Sequence, residues 1–154
     1  MIYSLLITNI NGNVLLSKNY NAASDEKQME YEKSLYQLTK DEWTFAKNER
    51  HLVAELTSSA TIVVYTNVGE LMLFLAGSSE TYDELALSDI LNPISECLKD
   101  VCKKKAVTEL LFIEQIPKFV QYLDEIIQRG ILDQTQFESI SNYSQLKHDK
   151  KETV

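Results

Sequence analysis

The stretch from Ile2 to Thr8 is apolar at almost every position, with Tyr3, Leu5, Leu6 and Ile7 in succession. Side chains of a strand point alternately to its two faces, so an unbroken apolar run is apolar on both. Such a strand belongs in the middle of a sheet, covered on each side. Asn9-Ile10-Asn11-Gly12-Asn13 then supplies residues that tolerate positive φ, and Val14 to Tyr20 reads as the returning strand of a hairpin.

Ser24 is positioned to cap a helix, and Asp25 and Glu26 suit its positive end. That helix is predicted to reach about Lys40. At about 100° per residue, Tyr31, Leu35 and Leu38 form one stripe, with Met29 and Tyr36 nearly opposite. Two apolar stripes require two neighbours, because a helix this short is marginal on its own. One neighbour is the chain's own sheet. The other is either the following segment, whose Trp43 and Phe45 could fold back, or a partner protein. Met29, Tyr36, Trp43 and Phe45 are therefore the candidate partner-binding residues, in keeping with the abundance of Met and aromatic residues at interfaces.

Asp41 to Arg50 reads as a loop. Strand-like runs follow at His51 to Thr57, Thr61 to Asn67 and Leu71 to Ala76, the last two joined through Val68-Gly69. Thr81 and Glu84 suggest a capping box for a second helix, whose apolar arc from Leu87 to Cys102 keeps its phase across Pro93. Lys103, Lys104 and Lys105 match the negative end of that helix rather than a lipid site. A third helix carries Phe119, Leu123 and Ile127 on one face, with Pro117 in its first turn and Gly130 at its end. Asp133 and Gln136 could open a short fourth helix around Phe137 and Ile140. The boundaries are a single domain over residues 1–146 and a charged tail over 147–154. Two strands, a helix, three strands and then helices make an α/β (α+β) chain with an antiparallel sheet.

A net charge of −8 argues against nucleic-acid binding and against a direct grip on anionic lipid. The four glycines are too scattered for a phosphate-binding loop. His51 and His148 are far apart, and zinc sites need clustered His and Cys. Cys97 and Cys102, five apart, diverge by about 500° of helical turn, so they read as two core thiols rather than a disulfide or a nucleophile. Asp124-Glu125 points away from its helix's apolar stripe and reads as solvated charge. No leader, membrane-spanning run or prenylation cysteine is apparent, and the sequon at Asn142 carries no weight in a cytosolic chain. No enzyme and no cofactor is expected.

Several strings resemble the coatomer zeta subunit, a member of the longin-like small subunits of vesicle coats. They are Leu5-Leu6-Ile7 followed by Asn11-Gly12, the run Thr61 to Tyr65, Gly77-Ser78-Ser79, Asp83 to Leu87, and Leu123 to Ile127 with Gly130-Ile131-Leu132. The resemblance implies a five-stranded antiparallel sheet with helices on both faces. It also implies a non-enzymatic structural role beside a large, gamma-coatomer-like subunit, with an indirect link to an Arf-type GTPase. The implied setting is cytoplasmic and peripheral on the Golgi and its coated vesicles, in retrograde transport. The chain departs from the zeta pattern at Arg129-Gly130, where paired glycines are common, and at Pro93. The sigma subunits of clathrin adaptors share the fold and are the alternative, although Val64 to Asn67 lacks their Arg-rich strand pair. A longin-domain SNARE or tethering factor is a further hypothesis; a longin SNARE would need a heptad helix and an anchor after the domain, neither of which is seen.

Overall fold

In a computed structural model, residues 2–21, 24–103 and 106–135 are described. Five antiparallel strands form one sheet: β1 (Ile2–Asn9), β2 (Val14–Asn19), β3 (Leu52–Leu56), β4 (Thr61–Val68) and β5 (Leu71–Ser78). Their order across the sheet is β2-β1-β5-β4-β3. β1, β5 and β4 are the three inner strands, as the unbroken apolar run of β1 requires.

Alternation along those strands builds two cores. Leu5, Ile7, Val64, Leu73 and Leu75 join one. Leu6, Val63, Tyr65, Met72 and Phe74 join the other. Leu5 lies opposite Leu75 and Leu6 opposite Phe74, so each face is continuous across the β1–β5 seam. Helix α1 (Asp25–Thr39) covers the second face through Leu35, which is buried. Helices α2 (Glu84–Val101) and α3 (Glu109–Thr135) cover the first through Leu91, Leu98, Phe119 and Leu123. The expected five-stranded sheet with helices on both faces is thus what forms.

Several local expectations change. Ser24 does cap α1, its side chain accepting from the Lys27 amide. The cap of α2 is Asp83, whose carboxylate accepts from the Ala86 amide at 2.8 Å, and not Thr81. Thr81 instead donates its amide to the Ser78 carbonyl in the preceding turn. Helix α2 does continue through Pro93 as one element, as the unbroken phase of its apolar arc predicts. Asp41 to Arg50 is not an open loop but is largely 3₁₀ turns spanning Lys40–Glu49.

Helix α3 starts well before Pro117, because Thr108 supplies its cap: the Thr108 hydroxyl accepts from the Leu111 amide and its carbonyl from the Phe112 amide. Pro117 is therefore interior. Nor does Gly130 end the helix, which continues through Asp133 to Thr135. A glycine inside a helix costs only about 1 kcal/mol relative to alanine, so it weakens without breaking. The rest of the expected fourth helix, from Gln136, and the tail from residue 147 lie outside the described residues, as do Lys104 and Lys105.

Gly69 sits at φ +60° in the β4–β5 turn, and a methyl there would collide with the Val107 carbonyl oxygen. The same turn is locked from both sides: the Glu70 amide donates to the Val107 carbonyl, and the Glu109 amide donates to the Glu70 carboxylate. Gly69→Ala should therefore cost at least about 2 kcal/mol, combining left-handed strain with a backbone clash. Urea unfolding monitored by circular dichroism measures it; an unchanged midpoint would contradict this account.

Candidate partner-binding surface

The α1 side of the sheet carries a chain of aromatic rings. Tyr65 stacks on Phe74 at 5.3 Å, Phe74 meets Trp43 at 5.6 Å, and Trp43 meets Tyr36 edge-on at 5.4 Å. The 3₁₀ segment delivers Trp43 to this position. Its indole N–H donates to the Thr39 hydroxyl at 2.9 Å, and that hydroxyl donates to the Leu35 carbonyl at 2.8 Å. The buried end of α1 thus holds the indole with two hydrogen bonds in series. Tyr65 closes the other end by donating to Glu42 at 3.4 Å. Burial first, and the Glu42 charge second, push its phenol up to about 12, so it remains a donor.

These contacts decide between the two neighbours expected for the second stripe of α1. Tyr36 packs against Trp43 and against the β1–β2 turn, where Gly12 at φ +89° leaves no room for a Cβ beside the Tyr36 ring. So the segment after α1 does fold back over Tyr36. It does not cover Met29, which is 69% exposed, and Phe45 of the same segment is 63% exposed. On the first stripe, Tyr31 and Leu35 pack toward the sheet, but Leu38 is 52% exposed.

Met29, Tyr36 and Trp43 converge on one groove of about 240 Å³, with Val14 and Gly12 on its opposite wall. Phe45 is not part of its lining. Val14, also exposed, is a residue that sequence reasoning passed over; it was read only as the start of a strand, and the register opposite Thr8 is what brings it here. Ile10, Leu110 and Ile113 are exposed as well. Two of them precede the point where the third helix was expected to begin, which is why no helical face was assigned to them.

A second and larger groove, of about 640 Å³, lies on the other side of the molecule between α2 and α3. Cys97, Val101, Tyr122 and Ile126 give it an apolar lining. Glu96 and Asp100 stand on the α2 side, Lys118 and Arg129 on the α3 side. Cys97 and Cys102 are both free thiols, half-buried and buried respectively. Burial, then the Asp100 charge, push the Cys97 thiol up to about 11, with Lys118 pulling it down. Asp124 is exposed and pairs with Lys18 at 3.6 Å, and Glu125 pairs with Arg129 at 3.4 Å, so both carboxylates are solvated as expected. His51 shares a 3.0 Å hydrogen bond with Ser88. Among the described residues no group of three or more His, Cys, Asp or Glu could hold a metal ion, and no described helix is long and apolar enough to cross a membrane.

Compared with known proteins, residues 1–150 match the model of the clathrin adaptor complex small chain. This chain belongs to the clathrin adaptor small-chain family. The family is one of structural adaptor subunits rather than enzymes. Across 157 aligned residues, covering all of both chains, the protein is 68% identical to "TSET complex member tstD" of Dictyostelium discoideum. It is 30% identical to "Probable coatomer subunit zeta-B" of the same organism over 84 residues, 53% of this chain and 47% of that protein. Its fold matches a chain of a homology model of the full-length AP-3 complex in a stretched open conformation, with a TM-score of 0.66 at 23% identity. That match covers 99% of this chain and 97% of the other. The likeness to zeta read from short strings is therefore present, but it extends over only about half of this small chain.

Two measurements follow for this surface. Trp43→Ala should destabilise the protein by about 2 kcal/mol, as truncation of a half-buried aromatic packed on the core does, whereas Met29→Ser should stay within about 0.5 kcal/mol. Equal effects in denaturant unfolding would erase the distinction drawn between them. Alkylation of Cys97, followed by mass spectrometry, should keep rising with pH to an inflection near 11, because only the thiolate reacts. An inflection near 8.5, the value of a free thiol, would show that the site is not desolvated.

Proposed function

We propose that this protein is the small subunit of a TSET-type adaptor complex, held by a large subunit and acting as a structural part of a vesicle coat. Identity of 68% along the entire length of a TSET complex member carries this reading. It replaces coatomer zeta as the first choice, and the family match to adaptor small chains agrees with it. The clathrin-adaptor small-subunit alternative is supported by the family match over residues 1–150, and coatomer zeta is the weaker reading, supported by the 84-residue match. The gamma-coatomer-like partner, the Arf-type GTPase, the Golgi membrane and retrograde transport belong to that weaker reading and stand or fall with it.

On each reading the partner surface is assigned to the α1 side. Met29 and Phe45 present exposed apolar side chains there, and Tyr36 and Trp43 form the firm ground beneath. Exposed Met and Phe over a rigid aromatic base is the composition expected at the centre of an interface.

Affinity purification of the tagged chain from its own cells, with mass spectrometry, tests the proposal. A stoichiometric large adaptor-type subunit together with TSET-type members is the expected result. Recovery of gamma-coatomer in their place would hand the assignment to zeta. Met29→Ser with Phe45→Ser should reduce recovery of the large subunit about tenfold or more while leaving the unfolding midpoint unchanged. Undiminished recovery would move the interface elsewhere.

A further inference from the structure

We propose that the groove between Met29 and Val14 is a socket for one aromatic side chain of the large subunit, and that an Asp or Glu next to that side chain pairs with Lys33. This rests on the assignment of the large subunit to the α1 side, and names the chemistry that partner brings.

The groove has room for a ring. A cavity of about 150 Å³ admits benzene, and this one offers about 240 Å³. Its floor is Leu6, Leu35 and Phe74, each almost fully buried, so an occupant that reaches the bottom rests on the core. Gly12 adds only backbone to the wall opposite Met29, which leaves the Tyr36 ring uncovered on that side. Tyr36, Trp43 and Phe74 already meet one another at edge-on and tilted angles. A further ring entering beside Tyr36 and Trp43 extends the series in the same geometry, which attracts beyond simple burial.

The polar atoms of the lining fix the rest of the occupant. The Thr8 hydroxyl donates to the Asn9 carbonyl at 2.9 Å, and the Trp43 indole is held by Thr39. Glu32, the one carboxylate of the lining, accepts from the Ser17 hydroxyl at 2.9 Å and from the Gln28 amide at 3.2 Å. None of these asks for a polar ligand. Two side-chain groups of the lining make no hydrogen bond or ion pair among the described residues: the Lys33 ammonium and the Tyr36 hydroxyl. Both can donate. Lys33 is exposed and lies one helical turn from Met29 and from Tyr36, on the same side of α1. Lys40, one turn further, stands 5.8 Å over the Tyr36 ring and adds positive charge to that wall. The groove is therefore apolar inside and cationic at its mouth. A ring with a carboxylate beside it satisfies both parts, whereas a basic segment meets repulsion from Lys33 and Lys40.

The intact complex, purified with photo-methionine incorporated into this chain, tests the proposal. The diazirine at position 29 captures what enters the groove, and mass spectrometry of the cross-linked peptide carrying residue 29 reads its sequence. The expected capture is a large-subunit peptide with Phe, Tyr or Trp next to Asp or Glu. A captured peptide lacking either residue, capture of a different subunit, or no capture overturns the proposal. Val14→Phe, which fills the socket from the strand side, should lower recovery of the large subunit at least about tenfold. Lys33→Glu should lower it about fivefold and Lys33→Arg should retain it. The unfolding midpoint of each variant should stay unchanged. Full recovery with Val14→Phe, or equal loss from both Lys33 variants, also overturns the proposal. Should Met29→Ser with Phe45→Ser lose the large subunit while Val14→Phe keeps it, the α1 surface stands and the socket falls. Should the large subunit prove to be gamma-coatomer, the TSET assignment falls and the captured peptide still decides the socket.

Discussion

The fold depends on a sheet whose central strands are greasy on both faces. β1, β5 and β4 bury nearly every side chain they carry, alternately upward and downward. Neither face could be left to water, so two helical layers are obligatory. The chain supplies them unequally, one helix with a 3₁₀ segment on one side and two long helices on the other. The thinner layer is the one that needs reinforcement, and the aromatic series from Tyr65 to Tyr36 provides it.

Much of this architecture is legible in the residues themselves. Continuous apolar runs mark the inner strands, because burial on both sides removes the polar half of the usual alternation. Ser24 with its acidic followers marks the start of α1. Legibility fails where two local signals compete. Asp83 and Thr81 are both good caps, and only the turn after β5 decides that Asp83 has the right backbone position. Pro117 looks like a first-turn residue until Thr108 is seen to begin the helix earlier, and Gly130 looks like a terminator although it lies inside the helix.

The candidate surface on the α1 side was legible in the same partial way. Helical periodicity correctly found that α1 has apolar residues beyond those its sheet can take up. It could not say which of them the 3₁₀ segment would cover, because that depends on tertiary contacts of Trp43 with Phe74, thirty-one residues away. The outcome divides the four residues by role, with Tyr36 and Trp43 packed together and Met29 and Phe45 left at the surface. Val14 escaped notice because strand register, rather than composition, places it in the groove.

Trp43 is the single tryptophan of the chain, and it is anchored in the α1 layer alone. Helices α2 and α3 contain none. The protein consequently carries a built-in optical label for one of its two cores. Indole emission reports the solvation of the α1 side, while backbone ellipticity is dominated by the helices on the far side. Comparing the two signals during unfolding would show whether the layers separate or melt together, without any engineered dye.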